Sequence, residues 1–482
     1  MKFASTATER PGLKKDVWRH FSGVTTVFFQ KRAAAKKAEE PGFQNKVPRF
    51  LFHLTSVLTY WFPRFGAGLL NAVVLPVLGH RLLVRAVFRK NSQIVQSLRR
   101  VGRILVIPDI HIGDAIMMQG AVQAFRDFFP AARIDYVVKK SMAGLIIGNP
   151  AITHVYPRFT GTAFPTAGDI QSLQELVSEN HYDLCFNASS FFEDARLFPK
   201  NQVFLNFMTV APRLMRNELD RSGNNHFLHQ SYSFLDRLLL NNGFTKESKG
   251  FSGVPVTLSD EAVQQARAFL EMEKVPLDKP ILFLNPDTAS PYTLIPFEYQ
   301  ARILKEWLKL DCSVLLGASF THADMSERLW GILSPEEKNR VFPTPRGLPI
   351  EAYAALTDSA NVFLSGDTGP LHMAAARKVS RSGNFKFRNK TFVISVFGAT
   401  PSRMSGYDST DPLYLSANQD APSKTYVSES PCRNITCVNK MLKTCKTPRC
   451  FEVLDVERIA VDIQSYLRNP LRSAFPKAEP SF

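Results

Sequence analysis

Two short stretches of the 482-residue chain concentrate side chains able to do chemistry. The first is Pro108-Asp-Ile-His-Ile-Gly-Asp114, directly after an apolar run. Gly113 permits a tight backbone turn there, and Asp114 stands near a helix start, where the helix dipole stabilises a carboxylate. Taken alone, Asp114 reads equally as an ordinary acid of a first helical turn. The second stretch is Ser365-Gly-Asp-Thr-Gly-Pro-Leu-His372, followed by Met373-Ala-Ala-Ala376. Gly366 and Gly369 allow close approach to a phosphate, the free amides of a helix start point outward, and Thr368 adds a hydroxyl. His372, one turn in, could donate to a phosphate oxygen or could be a packing histidine. Asp367 could cap the helix. Together in one turn these residues favour a diphosphate site.

Both stretches need a strand before them and a helix after them. Arg103-Ile-Leu-Val-Ile107 has the character of a buried parallel strand, and Ala115, Met118, Val122, Phe125 and Phe129 follow at helical spacing. Ile134–Lys139, Tyr182–Asn187 and Gln202–Asn206 read as further strands of a first half ending near residue 250. A second series begins with strands at Ile281–Asn285, Ser313–Leu316, Asn361–Ser365 and Phe392–Phe397. Helices are expected at Glu261–Lys274, Phe297–Leu310, Asp324–Leu333, Glu351–Asp358 and Gly369–Arg377. Strands alternating with helices predict an α/β protein with two Rossmann-like domains facing a cleft. The expected divisions are an extension at 1–102, a first domain at 103–250, a second at 251–468 and a tail at 469–482. No G-x-G-x-x-G follows the first strand, which argues against a nicotinamide-dependent oxidoreductase.

The net charge of +16 is concentrated at one end. Residues 1–103 carry nineteen Lys and Arg against four acids, so the other 379 residues are almost neutral. Such an arm seeks an anionic surface rather than coating the whole protein with positive charge. Residues 50–80 are also strongly apolar, which RNA binding does not need, so a membrane surface is preferred to nucleic acid. Pro63 divides the apolar run into halves shorter than the roughly 20 residues that span a bilayer. Arg81–Arg103 mixes apolar and basic residues in the manner of a helix lying on a membrane. Packing of residues 50–103 on the first domain is the alternative. No secretory signal is evident, and the expected location is cytoplasmic, peripheral to the inner membrane.

The Ile-Gly-Asp114 turn and the Ser365–His372 stretch together resemble the paired signatures of glycosyltransferase family 9, the ADP-heptose:lipopolysaccharide heptosyltransferases. Phe397-Gly-Ala-Thr-Pro401 resembles that family's Phe-Gly-x-Thr element, and the likeness runs from about Arg103 to Ile463. It implies a GT-B fold and an inverting transfer of heptose from ADP-heptose to a lipid-linked saccharide of the lipopolysaccharide core. Asp114 would be the general base, with His111 and Gly113 on the acceptor side. Thr288, Ser290, Gly366, Asp367, Thr368, Gly369, His372, Gly398 and Thr400 would hold the donor. Amides, hydroxyls and cations can stabilise a leaving diphosphate, so no metal cofactor is required.

The family pattern also includes a Lys or Arg in the segment matching Asn285–Pro296, where this chain has Thr293 and Leu294. That gap motivates a second reading, a non-catalytic relative serving in membrane assembly. The four basic residues of Ser380–Lys390 could replace the cation or could belong to a solvated loop. Asp324 is a candidate for a ribose hydroxyl. Cys432, Cys437, Cys445 and Cys450 are spaced C-x4-C-x7-C-x4-C, unlike the C-x2-C knuckle of most zinc sites. Structural zinc, reduced thiols and disulfides are all open for them, the last disfavoured in a reducing cytosol.

Overall fold

The computed structural model describes residues 98–99, 101–160, 165–189, 203–206, 256, 258–288, 291, 293–319, 324–379, 391–398, 402–407, 423–426 and 449–468, with parts of 231–246. The first sheet contains β1 (Arg103–Ile107), β2 (Arg133–Lys139), β3 (His154–Phe159), β4 (Leu184–Asn187) and β5 (Val203–Asn206). All its pairings are parallel, in the order β3-β2-β1-β4-β5. The second sheet contains β6 (Ile281–Asn285), β7 (Ser313–Leu316), β8 (Val341–Pro343), β9 (Val362–Gly366), β10 (Phe392–Val396) and β11 (Ser423–Tyr426). It too is parallel, in the order β11-β10-β9-β6-β7-β8. Strand order reverses beside β1 in one sheet and beside β6 in the other. Open α/β sheets place ligands outside the carboxyl ends of the strands at such points.

The central strands are apolar because both faces are covered by helices. Ile104–Ile107, Ile281–Leu284 and Val362–Leu364 are wholly buried. The run expected as one helix after β1 is divided at Met118 into α1 (Ile112–Met117) and α2 (Gln119–Phe128). There the Ala121 N–H turns back to the Met118 carbonyl at 3.0 Å, tightening the chain beside Gly120. In the second half lie α3 (Asp260–Met272), α4 (Phe297–Leu308), α5 (Ile350–Ser359), α6 (Gly369–Val379) and, near the end of the described chain, α7 (Val456–Leu467). Helix α3 packs on α5, α7 on α4, and α1 on α6. The last contact joins the two halves, and one apolar cluster runs from Ile116, Val122 and Phe125 through Leu371 and Met373. Among the described residues no helix is long and apolar enough to cross a membrane. The basic arm expected to meet one lies outside them, apart from its final residues.

Candidate active site

Chain direction brings Asp114 to the mouth of the first sheet. Beyond β1, His111 is extended (φ −89°, ψ 147°) and its carbonyl accepts the Ala115 N–H at 3.0 Å, which starts α1. Gly113 and Asp114 therefore fall in the first helical turn. Asp109 braces the preceding bend by accepting the Ile110 N–H at 2.6 Å. From β2, the Tyr136 hydroxyl donates to the Ala115 carbonyl at 2.6 Å and anchors α1 to the sheet.

An imidazole stands between two carboxylates here. His111 Nδ1 lies 3.6 Å from Asp109 Oδ1 and 3.7 Å from Asp114 Oδ2. Contact with Asp109 raises the His111 pKa, opposed by burial and by the charge of Lys139. The Asp114 side chain keeps 40% exposure. The surrounding protein still displaces enough water to push its pKa up to about 6, helped by the Asp109 charge and resisted by His111 and His372. Such a carboxylate is ionised at neutral pH yet basic enough to accept a proton.

The second mouth is built where β6 and β9 lie side by side. Asn285, buried at the end of β6, donates to Ser365 Oγ at 2.9 Å and to the Asp287 carbonyl at 3.0 Å. It also accepts from the Tyr353 hydroxyl of α5 at 2.7 Å. These bonds tie both strands to a helix just below the site. A Cβ at Gly366 would stand 3.0 Å from the Thr293 carbonyl oxygen and 3.2 Å from Thr288 Cγ2, so only glycine lets the β6 loop lie on the end of β9. Thr288 is buried, and its hydroxyl accepts from Thr293 Oγ1 at 3.2 Å. After Asp367, the Thr368 carbonyl receives the Leu371 and His372 N–H groups at 3.1 and 3.4 Å, and α6 begins at Gly369. The buried His372 ring presents Nε2 3.7 Å from Asp367 Oδ1, with Nδ1 2.9 Å from the Tyr407 hydroxyl oxygen.

The two mouths touch. A Cβ on Gly113 would lie 2.5 Å from His372 Cδ2, and one on Gly369 would lie 2.9 Å from Ile112 Cβ. Each half thus contributes a glycine whose bareness admits the other half, and Asp114 senses the charges of both His372 and Asp367. The helix starts of α1 and α6 meet at one place, where free amides and dipoles favour an anion. An ionised base beside an anion-binding helix start can deprotonate a hydroxyl and steady a leaving phosphate.

Asp114, His111, Gly113, Thr288, Gly366, Asp367, Thr368, Gly369 and His372 therefore gather at or beside the contact between the sheets. Ser290 and Thr400 lie outside the described residues. A Cβ on Gly398 would be 2.5 Å from Phe451 Cζ. Cys450, next to Phe451, is buried in the second core. Cys432, Cys437 and Cys445, and with them the zinc reading, lie outside the described residues, as does the basic insertion 380–390. Among the described residues the group able to offer a metal ion three ligand atoms within 4.8 Å of one another is Asp109, His111 and Asp114. Asp324 is exposed at the start of the Met325–Gly331 helix, 3.7 Å from Arg328.

Sequence reasoning missed Asp109, Lys139, Ser405 and Tyr407. Register could have exposed Lys139: Val106 pairs with Tyr136, so Asp109 and Lys139 each lie three residues beyond paired positions. No spacing rule pointed to Tyr407.

No protein-family model matches the chain, and no curated protein matches it. Solved structures do. E. coli ADP-heptose lipopolysaccharide heptosyltransferase II is 14% identical, covering 76% of this chain and 98% of its own, at a TM-score of 0.50. A glycosyl transferase of family 9 from Veillonella parvula is 17% identical, covering 76% and 97%, at a TM-score of 0.54. Likeness at such identities is likeness of fold, and this chain has the heptosyltransferase-like GT-B fold, two parallel Rossmann-like sheets with their mouths opposed.

Proposed function

We propose that the protein is an inverting glycosyltransferase of the family 9 kind that moves a heptose from ADP-heptose to a lipid-linked saccharide of the lipopolysaccharide core. The acceptor binds the half formed by residues 103–250 and the donor the half formed by residues 251–468. Asp114 accepts the proton of the acceptor hydroxyl as its oxygen bonds to the anomeric carbon. The bond from that carbon to the diphosphate breaks, and its electron pair leaves with the diphosphate. Asp367, Thr368, Gly369, His372 and Thr288 hold that anion. The work takes place on the cytoplasmic face of the inner membrane, to which the basic, apolar residues 1–102 attach the protein.

The observation carrying this reading is the contact of Gly113 with His372, which sets the base beside the start of α6. Incubation with ADP-heptose and a heptose-deficient core acceptor, followed by mass spectrometry and NMR, tests it. The expected product has gained one heptose with inverted anomeric configuration. Absence of transfer from any nucleotide sugar refutes it.

The second reading, a non-catalytic membrane assembly protein, draws support from the β6 loop. Thr293 stands where a cation is expected, and its hydroxyl is directed to Thr288. Measurable turnover eliminates it.

A further inference from the structure

The histidine of the donor pocket has a partner that the transfer reading does not use. We infer that Tyr407 is a positioning residue that fixes the His372 imidazole as its Nε2–H tautomer and so aims that N–H at the leaving diphosphate. The inference rests on the donor-site reading above. Tyr407 is buried and meets His372 edge-on, with ring centroids 5.7 Å apart and an interplanar angle of 64°. Its hydroxyl oxygen lies 2.9 Å from His372 Nδ1. Burial, with the Asp367 charge, drives the phenol pKa up, so the hydroxyl keeps a proton to donate.

The far side of the ring decides which nitrogen holds the hydrogen. Nε2 lies 3.7 Å from Asp367 Oδ1 and within electrostatic reach of Asp114. A lone pair turned towards two carboxylates is repelled, whereas an N–H is attracted. Nε2 therefore carries the hydrogen, and Nδ1 accepts from Tyr407. In this arrangement the ring offers one oriented donor to the pocket.

The same short segment supports Asp367. Ser405 Oγ donates to Asp367 Oδ1 at 3.3 Å. Between Ser405 and Tyr407, the Gly406 N–H returns to the Ser402 carbonyl at 2.5 Å, and a Cβ on Gly406 would lie 2.6 Å from that oxygen. Closure of the turn depends on glycine. The Tyr407 carbonyl accepts from Thr425 Oγ1 of β11 at 2.8 Å, which fastens the segment to the sheet. Residues 402–407 thus brace both Asp367 and His372 from behind, outside the two signature stretches.

Nitrogen-15 NMR of the histidine-labelled full chain tests this, with the His372 signals assigned by their loss in His372→Gln. The wild-type chain is expected to show a protonated Nε2 and an unprotonated Nδ1. Tyr407→Phe keeps the ring and removes the hydroxyl; it is expected to mix the tautomers and to lower kcat with ADP-heptose roughly tenfold, as losing one hydrogen bond does. An Nδ1–H or doubly protonated ring in the wild type overturns the inference, as does an unchanged tautomer and kcat in Tyr407→Phe. If Tyr407→Phe fails to fold, the wild-type spectrum alone decides. The NMR needs no donor, so a fixed Nε2–H in a chain without turnover refutes the transfer reading and leaves the role of Tyr407 on His372 supported.

Discussion

A carboxylate acting as a base at neutral pH works best with a pKa lifted towards the working pH, and Asp114, at about 6, has been lifted. The base must be ionised, so kcat/KM is expected to be full above that pH and to fall about tenfold per unit below it. Asp109→Asn removes a neighbouring negative charge and should carry the acid limb to lower pH; a limb that stays in place contradicts the assignment. The same lifted pKa bears on stability with a definite sign. A folded-state pKa above the unfolded one contributes stability that is present below the unfolded value and is lost as pH rises through about 6. Asp114→Asn should therefore raise the melting temperature at pH 8 relative to wild type and give no such gain at pH 4, as calorimetry can show. A larger gain at pH 4 than at pH 8 would reverse the sign and exclude it.

Helix starts are where the elements meet, and glycine is what lets them. Gly113→Ala would push a methyl group into the His372 ring, which Tyr407 holds in place. Overpacking of this kind costs about 1–3 kcal/mol, and kcat/KM is expected to fall by at least roughly tenfold. Gly331→Ala is the control: nothing lies within 4 Å of the added Cβ, and the residue is helical. There alanine is expected to leave activity unchanged and to stabilise by about 0.4–1 kcal/mol. Equal losses from both variants would show that the Gly113 contact has no special part. The elements that carry these glycines were legible in the sequence. Strands β1, β6, β9 and β10 are buried on both faces, so they appear as unbroken apolar runs between turn signals. Strands β3, β8 and β11 were not legible. Each is a sheet edge, and His154–Phe159 with its Pro157, the short Val341–Pro343 and the polar Ser423–Tyr426 carry no such run. The two Gly-Asp turns were read from their spacing. Tyr407 and Ser405 were not, because a side chain that supports a site from behind is placed by tertiary packing, which leaves no linear pattern.

Across the whole molecule, charge and fold divide the labour. Residues 1–103 hold nearly all of the net charge, whereas the two sheets build the site. The full chain is expected to sediment with anionic vesicles and not with neutral ones, and to be released as salt shortens the Debye length from about 10 Å at 0.1 M. Binding to RNA without binding to vesicles would overturn the membrane reading. The two mouths meet directly rather than across an open gap, and the proposed chemistry has one carboxylate of the first half working on a donor held by the second. Steady-state transfer by Asp114→Asn, with ADP affinity measured alongside, tests this most directly. The account predicts that kcat falls by a factor on the order of 10²–10⁴, as expected when a general base is lost, while ADP binds as it does to the wild type. A variant that transfers sugar at the wild-type rate would contradict it.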